Sequence, residues 1–541
     1  MKKADLILRG NAIFDAVSDQ PQSGFIAIAG KRILAVGKNE KADSYISEAT
    51  KIYDLNDKLI IPGFHDSHAH LIMSGMAGLC ANLYEAKSED EACGTLLDFA
   101  GKNPADEPWI IGFGWDNHLW EDKTLPAKTS LDRYFPDRPV FLFNAELHSA
   151  WVNSKALETA GITKDTPDPF GGYFGRDEQG EPTGYLCETA IGPVGKYALK
   201  FTTQREMEFV RVFLETAKLA GITSINDLMP YFHGNLGSVE AYSAMERAGE
   251  LTVRINAAPN LLGDLDEVCR WREEYTSEKI TVGLLKQFLD GVASMHTALM
   301  IDDYSDAPGN TGIPLSDLDA VRRAVLEAHK RGLSVKLHAC GDASAGIALD
   351  FYEEAIHLYG KNECRHAIEH LEIISPEDMP RLKELGVIPS MQPEHLALEP
   401  KSEDNAYPKK LGQRRMAWTW PLKTALDTAG VIAIGSDCPV SPLSPFPGIF
   451  RAVTRLHNDG KPEGGWNPSE KLTLAEALRG YTYGSAYGAR REHDLGTLQA
   501  GKLADIAVID KNLFALDDAW DILKARVCLT VMDGEVVYEN L

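Results

Sequence analysis

Short apolar runs alternating with helical stretches through the middle of the chain, β-rich runs at both ends, and one long Trp- and Gly-rich break after the first middle run predict an α/β protein. Together they give a (β/α)8 TIM barrel, a small β-sandwich domain built from both termini, and a long insertion after the first barrel strand. The expected boundaries are 1–58 and 491–541 for the two parts of the sandwich, 59–490 for the barrel and 75–200 for the insertion.

Each element has its own signal. "ADLILRGNAIFD", "GFIAIAGKRILAVGK" and "KIYDLNDKLIIPG" are apolar or alternating runs separated by Gly, Asp and Asn, as strands and turns require. "GTLQAGKLADIAVID" and "VCLTVMDGEVVYEN" return to that style, and Asp533-Gly534 between two β-rich runs predicts a hairpin. The eight barrel strands are read at "LIIPGFHD", "GITSIND", "LTVRINAAP", "TVGLLKQFLDG", "GLSVKLHA", "RHAIEH", "GVIPSMQP" and "GVIAIGSD". Between them, "SDLDAVRRAVLEAHKRG" and "ASAGIALDFYEEAIHLYG" have helical spacing and a closing Gly, and "SPEDMPRLKELG" opens on Ser375-Pro376, a helix-start signature. The insertion carries "PWIIGFGWDNHLWEDKTLP", "NAELHSAWVNSKALETAGI" and "PFGGYFGRDEQGEPTGYL"; a segment this long after a barrel strand sits on the C-terminal face and reads as a lid or substrate-binding subdomain.

Composition excludes several functions. A formal net charge of −24 repels phosphate backbones, so no nucleic-acid partner is expected. No stretch approaches the roughly 20 apolar residues of a membrane helix, and "MKKADLILRGNAIF" lacks the apolar core of a secretory signal, so the expected location is the cytoplasm, without membrane attachment. The eight cysteines, at 80, 93, 187, 269, 340, 364, 438 and 528, are too scattered for a disulfide framework and read as reduced, mostly buried thiols.

The chemistry lies at strand ends. "LIIPGFHDSHAHL" closes on His68 and His70; with 15 histidines in 541 residues, chance alone gives about 0.4 such pairs, so the pair decides nothing by itself. His338 ends strand five, His370 strand six and Asp437 strand eight, while Lys286 sits within strand four. Parallel strands put their C-terminal ends on one face, so residues hundreds of positions apart converge on one cup. Neutral imidazoles and a carboxylate are first-row metal ligands. Two such metals sharing a water lower its pKa. A bare ammonium would repel them, but a neutral lysine amine takes up carbon dioxide, and the carbamate is an anionic bridge.

"PGFHDSHAHL", the strand-four lysine, "KLHA", "IEHLE" and "GSDCPV" together resemble the amidohydrolase superfamily. "GWDNHLW", "LHSAWVNSKAL", "DEQGEPTGYL" and "LKQFLDG" are similar to the amidohydrolase-3 group, with its YtcJ-like and N-substituted formamide deformylase-like hydrolases. The resemblance implies that His68, His70 and Asp437 hold one divalent metal, that His338 and His370 hold a second, and that carbamylated Lys286 bridges them. Zinc is the expected metal, with manganese or iron as alternatives. Asp437 is implied as the general base that takes a proton from the attacking water and returns it to the leaving group, and His148 as a group that binds or polarises the substrate oxygen; a structural His in the lid is the other reading. Asp66 and Asp290 either orient ligand histidines or cap turns. Trp115, Asp116 and Trp120 either line the pocket or form the core of the insertion.

The expected activity is hydrolysis of a C–N bond in a small amide, an N-substituted formamide among the candidates, by attack of metal-bound hydroxide. Two alternatives stand beside it: the same site acting on a lactone, ester or cyclic imide, and a non-catalytic binding or regulatory barrel. The family resemblance also suggests a homodimer.

Overall fold

The eight expected strands in the middle of the chain close into a ring in the computed structural model, which describes residues 2–102, 108–231, 234–399 and 401–541. Phe64–Ala69 pairs in parallel with Ile222–Leu228, which pairs with Arg254–Ala258, which pairs with Ile280–Val282. Gly283 interrupts the fourth strand. Its continuation, Leu284–Phe288, begins a second parallel run through Ser334–Ala339, Ala367–His370, Ile388–Met391 and Ala433–Ile434. Single bridges from Asn260 to Lys286 and from Ala69 to Cys438 seal the two seams.

Besides the break at Gly283, the first strand differs from its sequence reading. "LIIPGFHDSHA" is two strands. Leu59–Pro62 leaves the barrel to pair with Leu6–Ile13 and, antiparallel, with Ile506–Ile509, and the barrel strand starts at Phe64. Gly63 makes the break possible, because a Cβ there would collide with the Thr223 side chain. The apolar run looked continuous because both pieces are buried on both faces, which removes the alternation that separates one strand from the next.

Leu59–Pro62 is the centre of an eight-stranded sheet drawn from both ends of the chain. The sheet runs Glu535–Glu539, Val527–Met532, Ile506–Ile509, Leu59–Pro62, Leu6–Ile13, Gln22–Ala29 and Arg32–Gly37, with Lys51–Asp54 beside Leu6–Ile13. Period-two alternation assigns its faces: Leu6, Leu8, Ile26 and Ile28 enter one apolar cluster, and Ile7, Phe25 and Ala27 another. Leu59 and Ile61 face the barrel core while Ile60 turns to the sheet's own cluster. Asp533 and Gly534 adopt φ of 59° and 81°, as a tight hairpin between paired strands demands.

The stretch after the first barrel strand has a sheet of its own, in the order Gly172–Arg176, Pro182–Glu188, Ser149–Val152, Val140–Asn144, Ile110–Trp115 and Ala81–Asn82. Trp115, Trp120 and Trp151 are fully buried in the cluster beneath it, so these tryptophans form its core and do not face a ligand. Asp116 caps the short turn at 117–119 by accepting the His118 N–H.

Barrel helices follow their start and stop signals. Asp317 caps Leu318–Lys330, and Asp342–Tyr359 ends at Gly360. The next helix begins at Met379, later than Ser375-Pro376 suggests. Pro380 explains the delay, since proline is tolerated only in the first turn and so fixes where that turn lies.

Candidate metal centre

Closing the ring brings the strand ends together. His68 Nε2 and His70 Nε2, on the first strand, lie 3.2 and 3.1 Å from Asp437 Oδ1, after the eighth. Backbone bonds across the same seam, Asp437 N–H to His68 O at 2.7 Å and His70 N–H to Cys438 O at 3.0 Å, fix that approach. The His370 ring centroid is 4.7 Å from that of His68 and 4.2 Å from that of His338. One ligand atom from each of His68, His370 and Asp437 falls within 4.8 Å of the others, and the same holds for His338, Cys340 and His370. His370 and Asp437 have φ of 71° and 60°, a left-handed backbone that non-glycine residues adopt at a cost.

In His68, His70 and His338 one ring nitrogen is tied down, which leaves the other to face the cup. His68 Nδ1 lies 2.5 Å from Glu369 Oε2, and His70 Nδ1 lies 2.7 Å from the Leu228 carbonyl. His338 Nε2 lies 3.2 Å from the Gly291 carbonyl. A ring nitrogen facing an acceptor carries the proton, so the lone pair faces the cup. His68 Nε2, His338 Nδ1, His370 Nδ1, Lys286 Nζ and Asp437 Oδ1 are buried and have no hydrogen-bond partner among the described residues. Five orphaned buried polar atoms at one strand-end face are costly unless something binds them, and imidazole, carboxylate and amine are the donor set of a divalent cation. The residues present therefore fit such a metal.

Electrostatics agree. Burial pushes His68, His338 and His370 below the usual histidine range, into the neutral form that ligates. Burial would raise Asp437, but His68 and His70 outweigh it and hold the carboxyl well below its ordinary range. Burial lowers Lys286 to about 8, which enriches the neutral amine.

Several supporting side chains were not singled out in the sequence. Glu369 is wholly buried and takes His68 on Oε2, Lys336 Nζ on Oε1 at 2.5 Å, and the Ser390 hydroxyl at 2.8 Å. His395, just past strand seven, places Nε2 3.5 Å from Asp437 Oδ2 and Nδ1 3.4 Å from Glu372 Oε1; Tyr407 Oη donates to the other Glu372 oxygen. For His395 the available signal was position, since it follows a barrel strand as the predicted ligands end theirs; Lys336 and Glu369 lie within strands and Tyr407 opens a later helix.

Asp66 and Asp290 brace backbone and do not orient imidazoles. Asp66 Oδ1 accepts the His68 and Ser436 N–H groups, which clamps the first strand to the eighth. Asp290 accepts from the Leu299, Cys340 and Gly341 N–H groups and the Ser344 hydroxyl, and its nearer oxygen is 3.9 Å from His338 Nε2.

His148 reaches the cup from the inserted sheet, at the turn between Val140–Asn144 and Ser149–Val152. Strand register sets it beside Glu188: Ser149 pairs with Cys187, and Glu188 N–H donates to His148 O. His148 Nδ1 is 2.7 Å from Glu188 Oε2, and the Thr297 hydroxyl, from the loop after strand four, donates to Oε1 at 2.7 Å. Burial lowers His148, but Glu188 outweighs it and raises the imidazole to about 9. The His148 ring is 5.9 Å from that of His338, and both line one cavity with His68, His70, His370 and Asp437.

No cysteine forms a disulfide among the described residues, and no helix among them is long and apolar enough to cross a membrane.

Fold and rim define a barrel whose strand ends form a cup of imidazole, amine and carboxylate groups that could hold a metal. The Amidohydrolase family profile (Amidohydro_3) matches residues 51–538, and the chain belongs to that family. Protein LONG AFTER FAR-RED 3 of Arabidopsis thaliana is 31% identical over 99% of this chain and 92% of that protein. The candidate amidohydrolase YtcJ of Bacillus subtilis (strain 168) is 30% identical over 99% of both chains. The N-substituted formamide deformylase of Arthrobacter pascens is 26% identical over 95% of both. Among solved structures, an uncharacterized metal-dependent hydrolase from Pyrococcus furiosus superposes with a TM-score of 0.74, at 26% identity over 94% of this chain and 99% of that one. The sequence resemblance is thus borne out at the level of family.

Proposed function

We propose that this protein hydrolyses the C–N bond of a small amide, with an N-substituted formamide as one candidate, at a centre held by His68, His70, Lys286, His338, His370 and Asp437. The observation that carries the reading is the convergence of orphaned buried donor atoms on one strand-end face, with one ring nitrogen of His68, His70 and His338 tied to a neighbour. Divalent cations held there, zinc in the first instance, supply an acidified water and an electrophile for the carbonyl. Neutral Lys286 is the amine that would be carbamylated to bridge a pair of them.

The protein's own groups handle the protons. Asp437 takes the proton from the water as its oxygen bonds to the carbonyl carbon. It returns that proton to the nitrogen as the C–N bond breaks, giving a carboxylic acid and an amine. His148, held as the Nδ1 donor to Glu188, presents its other N–H toward the oxygen that gains charge. The inserted sheet carries His148 to the cavity that the strand-end residues line.

The test is metal analysis joined to turnover. Purified protein should hold about two divalent ions per chain, and the loaded protein should hydrolyse members of a panel of N-formyl and N-acyl amines. A protein that binds no metal and cleaves none of them overturns the reading; hydrolysis confined to lactones, esters or cyclic imides overturns the bond assignment alone.

A further inference from the structure

The cavity over the metal-binding face carries more negative charge than catalysis uses. Besides Asp437 it is lined by Glu146, Glu372 and Glu399, and by no lysine or arginine among the described residues. Glu372 is committed to Tyr407 and His395. The other two are not. Glu146, in the same turn as His148, accepts the Ser294 hydroxyl on Oε2 at 3.0 Å. Glu399, in the loop past strand seven, has a buried Oε2 with no hydrogen-bond partner among the described residues. Lys410, within electrostatic reach of Glu146, is engaged by His296.

Two carboxylates from separate segments thus face one cavity, and the His148 imidazolium that acts on Glu146 is already held by Glu188. Burial raises Glu399 to about 7, and Glu146 adds to the rise. Buried carboxylates are retained at such a cost where a cation completes them. The cavity also presents Tyr231, Phe288 and Tyr407, rings whose faces favour a cation. We infer that the ligand of this cavity carries a protonated nitrogen that Glu146 and Glu399 receive, so that the substrate is an amide bearing a second, basic group. This rests on the hydrolase reading for the amide and on the cavity alone for the cation.

Calorimetry on the zinc-loaded protein separates the two. Benzylammonium and benzyl alcohol match in shape, differ in charge and contain no amide. Benzylammonium should bind at least about ten-fold tighter, the usual scale of a charge-assisted hydrogen bond, and the ratio should fall toward one in Glu399→Gln and Glu146→Gln. Equal binding of the two probes by the unsubstituted protein, or a preference that survives both substitutions, overturns the inference. Absence of binding by either probe at millimolar concentration also overturns it. Amide hydrolysis without a charge preference defeats only the cation assignment; a charge preference without hydrolysis of any amide defeats only the proposed function.

Discussion

Glu369 joins His68 to Lys336: one carboxylate oxygen lies 2.5 Å from the imidazole Nδ1 and the other 2.5 Å from the ammonium. All three side chains are buried. Burial alone would raise Glu369, yet Lys336 and His68 hold it down to about 2, so the carboxylate stays charged and fixes the His68 tautomer. Glu369→Gln keeps the shape and removes that charge. Its metal affinity should drop about 10- to 100-fold, as measured by chelator competition, because an outer partner orients the ligand and raises its basicity. Lys336→Met should instead cost about 3–5 kcal/mol of folding stability in denaturant titration, since it strands a buried carboxylate. Unchanged metal affinity in Glu369→Gln would remove this carboxylate from the centre.

Glu188 stands behind His148 as Glu369 stands behind His68, but His148 is not among the groups proposed to hold metal. Glu188→Gln should therefore lower turnover by about 10²–10³, the scale of one lost donor to a developing oxyanion, while metal content stays at the unsubstituted level. Parallel loss of metal would show that His148 is structural, the other reading its sequence context allows.

The sequence disclosed this site unevenly, for physical reasons. His68, His70, His338, His370 and Asp437 were legible because each ends an apolar run, and barrel geometry turns that position into convergence. Glu369 and Lys336 lie inside such runs, where period-two reading assigns a side chain a face but not a partner. His395 and Glu399 lie beyond a strand end, on backbone whose course depends on loops that carry no periodicity. The pairing of His148 with Glu188 needs the register of strands 40 residues apart, which no local pattern encodes. The break at Gly63 was hidden because a doubly buried strand has no polar face to mark its end.

Arg254 has no solvent exposure, and its guanidinium holds two carboxylates of the C-terminal sheet: Asp505 at 2.7 Å and Asp533 at 2.8 Å. It thereby locks barrel strand three to the sheet formed by the chain ends. Arg254→Ala should destabilise by about 3–5 kcal/mol in denaturant titration. Acidity probes the same contact. Burial would raise Asp533, but Arg254 and Lys31 outweigh it and depress the carboxyl. A carboxyl depressed on folding adds stability above its unfolded pKa, near about 4, and that gain is lost as pH falls through the lower folded value. The slope of stability against pH below about 4 should accordingly be shallower in Asp533→Asn than in the unsubstituted protein. An identical slope would mean that Asp533 is not held down.

Lys286 supplies the sharpest discrimination, because its two chemical forms make opposite demands on its surroundings. An ammonium with no hydrogen-bond partner, buried among imidazoles that need cations for neighbours, would be among the costliest groups in the molecule. A carbamate at the same Nζ would be an anion where cations are wanted. With ¹³C-bicarbonate in the buffer, the metal-loaded protein should show a carbamate carbon in its ¹³C spectrum that is absent from Lys286→Ala. That variant and His68→Ala should each abolish turnover, by 10³-fold or more, with folding largely kept, and Lys286→Ala should bind fewer metal ions per chain. A missing carbamate signal alongside full activity would reduce Lys286 to a buried amine beside the centre, and the metals would then have to be held without a bridge from strand four.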